Sequence, residues 1–283
     1  MIKNHTAAIL ASALTAILVA GSAQADSYSP WTMADEASEL SLRFSAQTAD
    51  RFFAGNAEMN LPADLEQDSY TLDYAYGISD QLSLDLRIGY TQSDFITAPG
   101  LAPNGGLSGF SDSRIGLRYN FMGAENNLPT VTVGIAGLIK GNYDVGALPA
   151  VGDGASGFEV SALVGHAFDS GLILSGALAR RQYNGRVPEE NVFNIGAGFA
   201  VLETASLGMF YQDVSSNGKL DIGGPGFSPS RFPEVDEEYS LFGLGGNVVL
   251  SDAFSLGLDF GRKNDGKNTA KSRFVSASVG YFF

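Results

Sequence analysis

The chain has 283 residues, with 31 acidic and 17 basic side chains, a net charge of −14 and no cysteine. Such an acidic chain should repel nucleic acid rather than bind it, and without cysteine it has neither disulfides nor thiolate metal sites. It also contains no phosphate loop or dinucleotide fingerprint, so we expect no cofactor, no bound metal and no nucleic acid as a partner.

The chain starts with the features of a secretory signal peptide. Lys3 supplies a positive charge, an apolar run extends over residues 7–20, and Ala23-Gln24-Ala25 has small residues at both ends. The run is shorter than the ~20 residues of a spanning helix, and the small-x-small triplet is typical of a cleavage site. We expect residues 1–25 to be a signal peptide that is removed after Ala25.

The stretch 26–39 comes before the first predicted strand and contains Trp31, the only tryptophan. We assign it as a short N-terminal periplasmic segment. An alternative is a plug that reaches into the interior of the domain that follows, and the sequence leaves both interpretations open.

Residues 40–283 contain about twelve stretches in which apolar side chains alternate with polar or small ones, which is the period of a β-strand. The connections are alternately short, as at 78–81 and 251–253, and long, as at 91–111 and 214–238. Outer-membrane barrels have tight periplasmic turns and long external loops. The sequence therefore predicts an all-β fold, a transmembrane antiparallel up-and-down β-barrel of about 12 strands.

The C-terminal strand has one apolar face that ends in two aromatic residues. A soluble protein rarely exposes such an edge because it invites aggregation, whereas a strand that closes a barrel in lipid has its backbone groups paired. The pattern resembles the C-terminal signal of bacterial outer-membrane proteins. We predict the bacterial cell outer membrane as the location, with outer-membrane lipid and the barrel-assembly machinery as partners. The residues of this assembly signal are Val279, Tyr281 and Phe283.

If the apolar side chains face lipid, the alternate residues face the interior, because an arginine near the membrane midplane would cost about 2–4 kcal/mol on the lipid side. These residues are candidates for a polar constriction that selects solutes. The alternative is a lattice of ion pairs that closes the interior. Small residues at other inward positions, Gly165 among them, favour a narrow channel or a binding cavity. The charged candidates are Arg43, Asp73, Asp85, Arg87, Arg114, Arg118, Glu159 and Asp259.

Several of the predicted external loops contain more apolar residues than a loop requires. We expect them to fold over the mouth of the barrel and to form an apolar site that captures solutes. The alternative is ordinary packing within loops rich in glycine and proline. The capture candidates are Phe95, Leu101, Phe110, Phe227 and Phe232.

We expect no enzymatic activity. The only histidine after residue 25 is His166, which is in phase with the lipid-facing Val164. An outer-membrane phospholipase needs a serine two residues after its histidine, where this chain has Phe168. The acidic run 236–238 is typical of a solvated loop. A barrel enzyme with a site at this acidic rim remains a weaker alternative.

Residues 109–119, Gly-Phe-Ser-Asp-Ser-Arg-Ile-Gly-Leu-Arg-Tyr, enter the fourth predicted strand. They resemble a motif of outer-membrane proteins associated with the meta pathway of phenol degradation, and residues 137–144 resemble the next strand end of that family. The resemblance implies an outer-membrane barrel that admits small, often aromatic or apolar molecules, without catalytic residues. We expect a passive channel for small-molecule solutes, including hydrophobic or aromatic ones. The alternative is a non-conducting barrel whose surface loops bind a partner.

Overall fold

The computed structural model describes residues 28–95, 106–123, 128–146, 150–152 and 154–283. The predicted signal peptide and the capture candidate Leu101 lie outside these ranges. No helix within them has the length and apolar character needed to cross a membrane.

Thirteen strand segments in the described part of the chain form one antiparallel sheet. The segment β4 pairs with β3 beside β5, so β4 and β5 together make one barrel strand and the barrel has twelve. The segments are β1 (Ser38–Ala54), β2 (Ala57–Ser79), β3 (Leu82–Phe95), β4 (Leu107–Phe110), β5 (Ser113–Met122), β6 (Thr130–Ile139), β7 (Gly157–Ala167), β8 (Leu172–Tyr183), β9 (Glu190–Leu202), β10 (Ala205–Ser216), β11 (Glu238–Ser251), β12 (Phe254–Lys267) and β13 (Ala270–Phe282).

The sheet closes because β1 pairs with both β2 and β13, and β2 pairs in turn with β3. Leu40, for example, lies opposite Tyr281 on one side and Tyr74 on the other. A closed barrel has no free edge, so every strand can satisfy its backbone groups within the sheet. The predicted all-β barrel of about twelve strands is confirmed.

The outward face of the strands is apolar and the inward face is mostly polar or small. On β13, Val275, Val279 and Tyr281 are exposed on the outside of the barrel, whereas Ser276 is buried inside. Tyr281 contacts Phe254 and Phe283, with ring centroids 5.1 and 5.3 Å apart. This aromatic group marks one rim of the apolar band, as expected at a membrane interface.

The chain termini identify the two ends of the barrel. The backbone N–H groups of Ser38 and Phe283 donate to each other's carbonyl oxygens at 2.9 and 3.1 Å. Short turns, such as those at 79–82 and 251–254, lie at the same end. We call this the periplasmic end, following the usual orientation of outer-membrane barrels, and the opposite one the external end.

The expected alternation of short and long connections is wrong at two places on the external end. The strands β1 and β2 have 17 and 23 residues and meet in a tight turn at Gly55, and β12 and β13 also meet in a tight turn. At these places the segments that were expected to be loops continue as strands. A strand outside the membrane does not need an apolar face, so the sequence there lacks the alternating pattern. Gly55 has φ +56, which glycine adopts without steric cost.

Candidate functional site

One wall of the interior carries a series of ion pairs on neighbouring strands. Arg87 Nε contacts Asp73 Oδ1 at 2.5 Å. Arg118 donates to both oxygens of Asp85, from Nε at 2.7 Å and from Nη2 at 2.6 Å. Such a two-point contact fixes the orientation of both side chains.

The series continues around Glu159, whose side chain is only 1% exposed. Arg114 Nη2 contacts its Oε1 and Arg181 Nε contacts its Oε2, both at 3.0 Å. Arg181 also contacts Glu190 at 3.2 Å. A buried carboxylate is tolerated only with such partners. We call these ion pairs on β2, β3, β5, β7, β8 and β9 the charged wall.

Sequence reasoning missed Arg181 and Glu190, although strand pairing gives the signal that finds them. They are direct neighbours across β8 and β9, and Arg181 is also opposite Glu159 on β7. The predicted Arg43 lies on β1, which pairs with the wall strand β2, and Asp259 lies on β12; both are buried. The structure therefore brings together six of the eight charged candidates, which are Asp73, Asp85, Arg87, Arg114, Arg118 and Glu159.

The N-terminal segment enters the interior and contacts the charged wall. Tyr28 is 4% exposed. Its hydroxyl donates to Glu159 Oε2 at 2.8 Å and accepts from Arg181 Nη2 at 2.8 Å. These contacts favour the plug interpretation for this part of the segment. We call residues 28–33 the plug.

Barrel side chains hold the backbone of the plug. Arg118 Nη1 donates to the carbonyl oxygens of Ser29 and Trp31 at 2.5 and 3.0 Å. Thr132 Oγ1 donates to the Pro30 carbonyl at 2.5 Å. None of residues 28–33 pairs with a strand, so the plug is held by hydrogen bonds from side chains rather than by the sheet.

Two glycines make room for the N-terminal segment. A Cβ atom at Gly165 would lie 2.4 Å from Pro30 Cγ and 2.8 Å from the Trp31 ring, and one at Gly77 would lie 1.8 Å from the Ala34 carbonyl oxygen. The expectation that Gly165 leaves room for a channel is therefore wrong. The space above this glycine is filled by the plug.

The interior also has an apolar wall that sequence reasoning missed. Leu163, Val192 and Val214 pack with Tyr28 in one buried cluster. A second cluster is formed by Phe210, Leu241 and Phe274, on β10, β11 and β13. These residues alternate with lipid-facing neighbours, as inward residues must. Being apolar themselves, they cannot be distinguished from lipid-facing residues by their type alone. Tyr28 of the plug contacts both the first cluster and the charged wall, which share the strands β7 and β9.

A cavity of about 340 Å³ lies under the external loops. It is lined by Gln47 and Phe52 of β1, by Phe232 and Glu237 from the connection between β10 and β11, and by Lys263. Aromatic and charged groups therefore face the same space. We call it the mouth cavity.

The predicted capture residues fall in different places. Phe232 lines the mouth cavity, and Phe227 packs edge-on against it with ring centroids 5.1 Å apart. Phe95 ends β3 in a buried cluster at the barrel wall. Phe110 is 56% exposed on the outward face, edge-on to Tyr90 at 5.7 Å. Its side chain is therefore not available to the mouth cavity.

Asn268 joins the external loops into a cap over the mouth. It is 4% exposed, and its Oδ1 accepts from the N–H groups of Gly55 and Ile222 at 2.8 and 2.9 Å. Its Nδ2 donates to Asp221 Oδ1 at 3.0 Å and to the Asp236 carbonyl at 2.8 Å. The asparagine thus ties the β1–β2 turn to the loop between β10 and β11.

Electrostatics supports the same cap. Lys267 Nζ contacts Asp236 at 2.6 Å and Asp221 at 3.1 Å. Hydrogen bonds from Asn268 and Lys267 lower the pKa of the Asp221 carboxyl, and the hydrogen bond to Asp236 raises the pKa of Lys267. Both residues therefore stay charged over the usual range of pH.

The remaining polar candidates form no catalytic arrangement that we recognise. The ring of His166 packs edge-on against Phe168 at 4.2 Å, beside the end of β7. In the described ranges, no three histidine or acidic side chains are grouped so that they can hold a metal ion.

The fold is shared with solved outer-membrane proteins. An outer-membrane channel from Pseudomonas putida F1 matches with a TM-score of 0.73 and 13% identity, over 89% of this chain and 97% of that one. The translocator domain of autotransporter NalP from Neisseria meningitidis gives 0.54 and 12%, over 98% and 95% of the chains. The NanC porin gives 0.52 and 7%, over 86% and 98%.

No protein-family model matches the sequence, and no curated protein sequence matches it either. At identities this low, structural likeness shows the fold alone. The chain is an antiparallel twelve-stranded barrel of the outer-membrane type, whose fold occurs in channels and porins of Gram-negative bacteria.

Proposed function

We propose that the protein is an outer-membrane channel for the passive uptake of small molecules, with the plug as the element that closes it. One observation carries the proposal: the plug lies in the interior without pairing to any strand, and it is held by side-chain hydrogen bonds, from Arg118, Arg181 and Thr132 among others, and by the packing of Tyr28. It can therefore leave without breaking a strand pair. Such an element suits a pathway that opens and closes.

Two features of the interior support a small apolar or aromatic solute. The apolar wall offers contacts to a ring, and the charged wall that adjoins it offers hydrogen-bond partners to a hydroxyl or other polar substituent. The resemblance of residues 109–119 to proteins of phenol degradation points to the same class. An aromatic ring with one polar group, such as a phenol, matches both walls at once.

The proposed path begins in the mouth cavity beside Phe232 and Lys263. It continues past the apolar cluster around Leu241 to the ion pair of Asp85 and Arg118, where the plug now lies. Arg43 on β1 and Asp259 on β12 complete the predicted constriction. The path needs no cofactor, metal or catalytic group, and we propose transport without catalysis.

Conductance of the purified mature protein in planar bilayers tests the proposal, alongside a variant that lacks residues 28–33. We expect rare openings from the complete chain and frequent openings from the deletion variant. Flux of phenol into liposomes should rise in parallel. If neither protein conducts and neither admits phenol, the channel proposal is wrong, and the alternative of a barrel that binds a partner through its loops takes its place.

An engineered disulfide between the plug and the barrel shows whether a change in conductance comes from movement of the plug or from damage to the barrel. A Cβ atom at residue 165 would lie 2.4 Å from Pro30 Cγ, so two cysteines at positions 30 and 165 would be close enough to form a disulfide after a small shift of the plug. The chain has no cysteine of its own. The double variant Pro30→Cys/Gly165→Cys should be closed when oxidised and should open on reduction. Pro30→Cys alone, treated in the same way, is the matched control.

A further inference from the structure

Two arginines face each other on the outside of the barrel. Arg262 on β12 and Arg273 on β13 are direct partners in the antiparallel ladder, and both are exposed. Like charges in directly opposite positions destabilise a strand pair. Within the described ranges, the hydrogen bond that Arg273 Nε donates to Thr48 Oγ1 at 3.2 Å is their one side-chain contact to a polar group, and neither contacts a carboxylate. An anion between the two guanidinium groups would relieve this repulsion.

The pair lies at the external rim of the apolar band. Outward positions on β13 are apolar from Phe283 back to Val275, and Arg273 is the next. On β12 the apolar positions end at Phe260, and Arg262 follows. At a rise of about 3.3 Å per residue and a tilt of about 40°, residues 283 and 273 are about 25 Å apart along the membrane normal, which is the height of the band. The arginines are therefore level with the headgroups of the outer leaflet.

An apolar groove of about 590 Å³ lies directly below the two arginines, toward the membrane centre. Ala46, Val275, Phe260 and Leu244 form one cross-strand row along it. Ala46 has the smallest side chain of the row and leaves a depression between larger neighbours. A groove of this kind accepts an acyl chain.

A second hollow, of about 230 Å³, lies above the arginines. It is lined by further cations, Arg51 and Lys271, which share Glu58 at 2.6 and 2.9 Å, and by two acids, Asp50 and Asp64. Both hollows include Arg262 and Arg273 in their lining. The face is therefore apolar below and has more basic than acidic side chains above, and Arg262 and Arg273 belong to both parts.

Charge on the neighbouring strands restricts the position of an anionic ligand. Glu66 on β2 lies in the same cross-strand row as Arg273, on the far side of Thr48, and Asp68 lies next to the groove residue Ala46. Both acids are exposed. They would repel an anion on β2. The net charge of the chain is −14, so an anionic ligand is expected on the basic face of β12 and β13 rather than elsewhere on this surface.

We propose that this face binds an outer-leaflet lipid with a phosphorylated headgroup and several acyl chains, the chemistry of the lipid A part of lipopolysaccharide. A phosphate lies between Arg262 and Arg273, which match its oxygens with paired N–H donors. One acyl chain lies in the groove over Ala46. The site does not depend on the channel proposal, because it is on the outside of the barrel.

Native mass spectrometry of the complete mature barrel in detergent, with purified lipid A as the probe, tests the site. Loss of two charge-assisted contacts in Arg262→Gln/Arg273→Gln should weaken lipid retention about tenfold or more. Arg180→Gln, at an outward arginine on β8 that already contacts Glu189, is the matched control and should retain lipid like the wild type. Ala46→Phe, which fills the groove, should weaken retention while both arginines remain.

Two further probes identify the ligand chemistry. Dephosphorylated lipid A should bind the wild type about tenfold more weakly than lipid A, again because the charge-assisted contacts are absent. Inorganic phosphate in millimolar excess should leave lipid A bound, since it has no acyl chain. Equal retention by the double variant and the wild type, or equal binding of the dephosphorylated lipid, would overturn the proposal. Displacement by inorganic phosphate would overturn it too, because the site would then be one for a free anion.

Discussion

The Tyr28 hydroxyl donates a hydrogen bond to Glu159 Oε2 at 2.8 Å across 131 residues of sequence. Glu159 is also the carboxylate that Arg114 and Arg181 share. One buried group therefore belongs both to the charged wall and to the anchor of the plug. Substitutions on this wall should change the position of the plug as well as the stability of the barrel.

The space over Gly165 should control whether the plug stays in the interior. In Gly165→Ala, the added Cβ would lie 2.4 Å from Pro30 Cγ, so we expect a displaced plug and a several-fold higher open probability in planar bilayers. Gly198→Ala is the matched control, because the nearest atom to its added Cβ is a carbonyl oxygen 3.6 Å away. Equal conductance of the two variants would contradict this role of Gly165.

Removal of the Arg118 side chain should weaken both the wall and the plug. Arg118→Met leaves Asp85 without its two-point partner, and the loss of one member of a buried ion pair should cost about 3–5 kcal/mol of unfolding free energy. The thermal midpoint in detergent, read as the shift from folded to unfolded mobility on a gel, measures this loss. Conductance should rise, since the carbonyl groups of Ser29 and Trp31 lose their donor.

The double variant Arg118→Met/Asp85→Asn is the control for this effect. It removes the uncompensated carboxylate, so part of the thermal stability should return while conductance stays high. If the double variant regains both the thermal stability and the low conductance of the wild type, the plug is not held by Arg118. If neither single nor double variant changes conductance, the same conclusion follows.

Asn268 should hold the cap closed. Asn268→Gly preserves the φ of +52 at this turn but removes the hydrogen bonds to Gly55, Ile222, Asp221 and Asp236. Each buried group left without a partner should cost about 1–3 kcal/mol. We expect faster amide hydrogen exchange at residues 217–237 and unchanged exchange in β7. Unchanged exchange at residues 217–237 would show that the cap does not depend on this side chain.

The cap should open in acid and not at neutral pH. Because the folded-state pKa of Asp221 is lowered by Asn268 and Lys267, its stabilising contribution is present above the unfolded pKa of about 3.9. It is lost as the pH falls through the lower, folded value. The protection of amides at residues 217–237, which is their exchange rate compared with the intrinsic rate at the same pH, should stay high from pH 7 down to about pH 4 and fall below it.

Two comparisons test the source of this acid dependence. In Asn268→Gly the main cause of the lowered pKa is gone, so opening should begin at a higher pH than in the wild type. Lys267 has a raised pKa, so its contribution is lost only as the pH rises through a value above about 10.4. Opening of the wild-type cap between pH 5 and pH 8 would contradict this account.

Much of the fold was predictable from the sequence because membrane strands obey two simple rules. The alternation that ends at Phe283 gives the strand period, and the cost of exposing backbone groups to lipid requires closure. The same parity places Arg43, Glu159 and Asp259 inside the barrel. It also applies to Leu241 and Phe274, but an inward apolar residue looks like a lipid-facing one unless the register is known.

Connections that lack an apolar face were harder to predict. The external halves of β1 and β2 keep the extended conformation without the apolar pattern, so their tight turn at Gly55 was not recognisable as the end of two long strands. The outward position of Phe110, which was predicted as a loop residue, has a related cause. Phe110 lies at the end of β4, next to a loop. Because the sequence does not reveal that β4 pairs with β3, the residue was assigned to the loop.

The amino-acid sequence by itself determined that this chain is a barrel and that charged residues such as Arg43, Glu159 and Asp259 face its interior, because both follow from local periodicity and from the cost of polar groups in lipid. Tertiary structure alone decided that Tyr28 meets Glu159, that Pro30 fills the space over Gly165, and that Asn268 ties three segments together. These contacts join positions far apart in the chain, where no periodic pattern specifies a partner. Closure of the sheet brings them within hydrogen-bond distance.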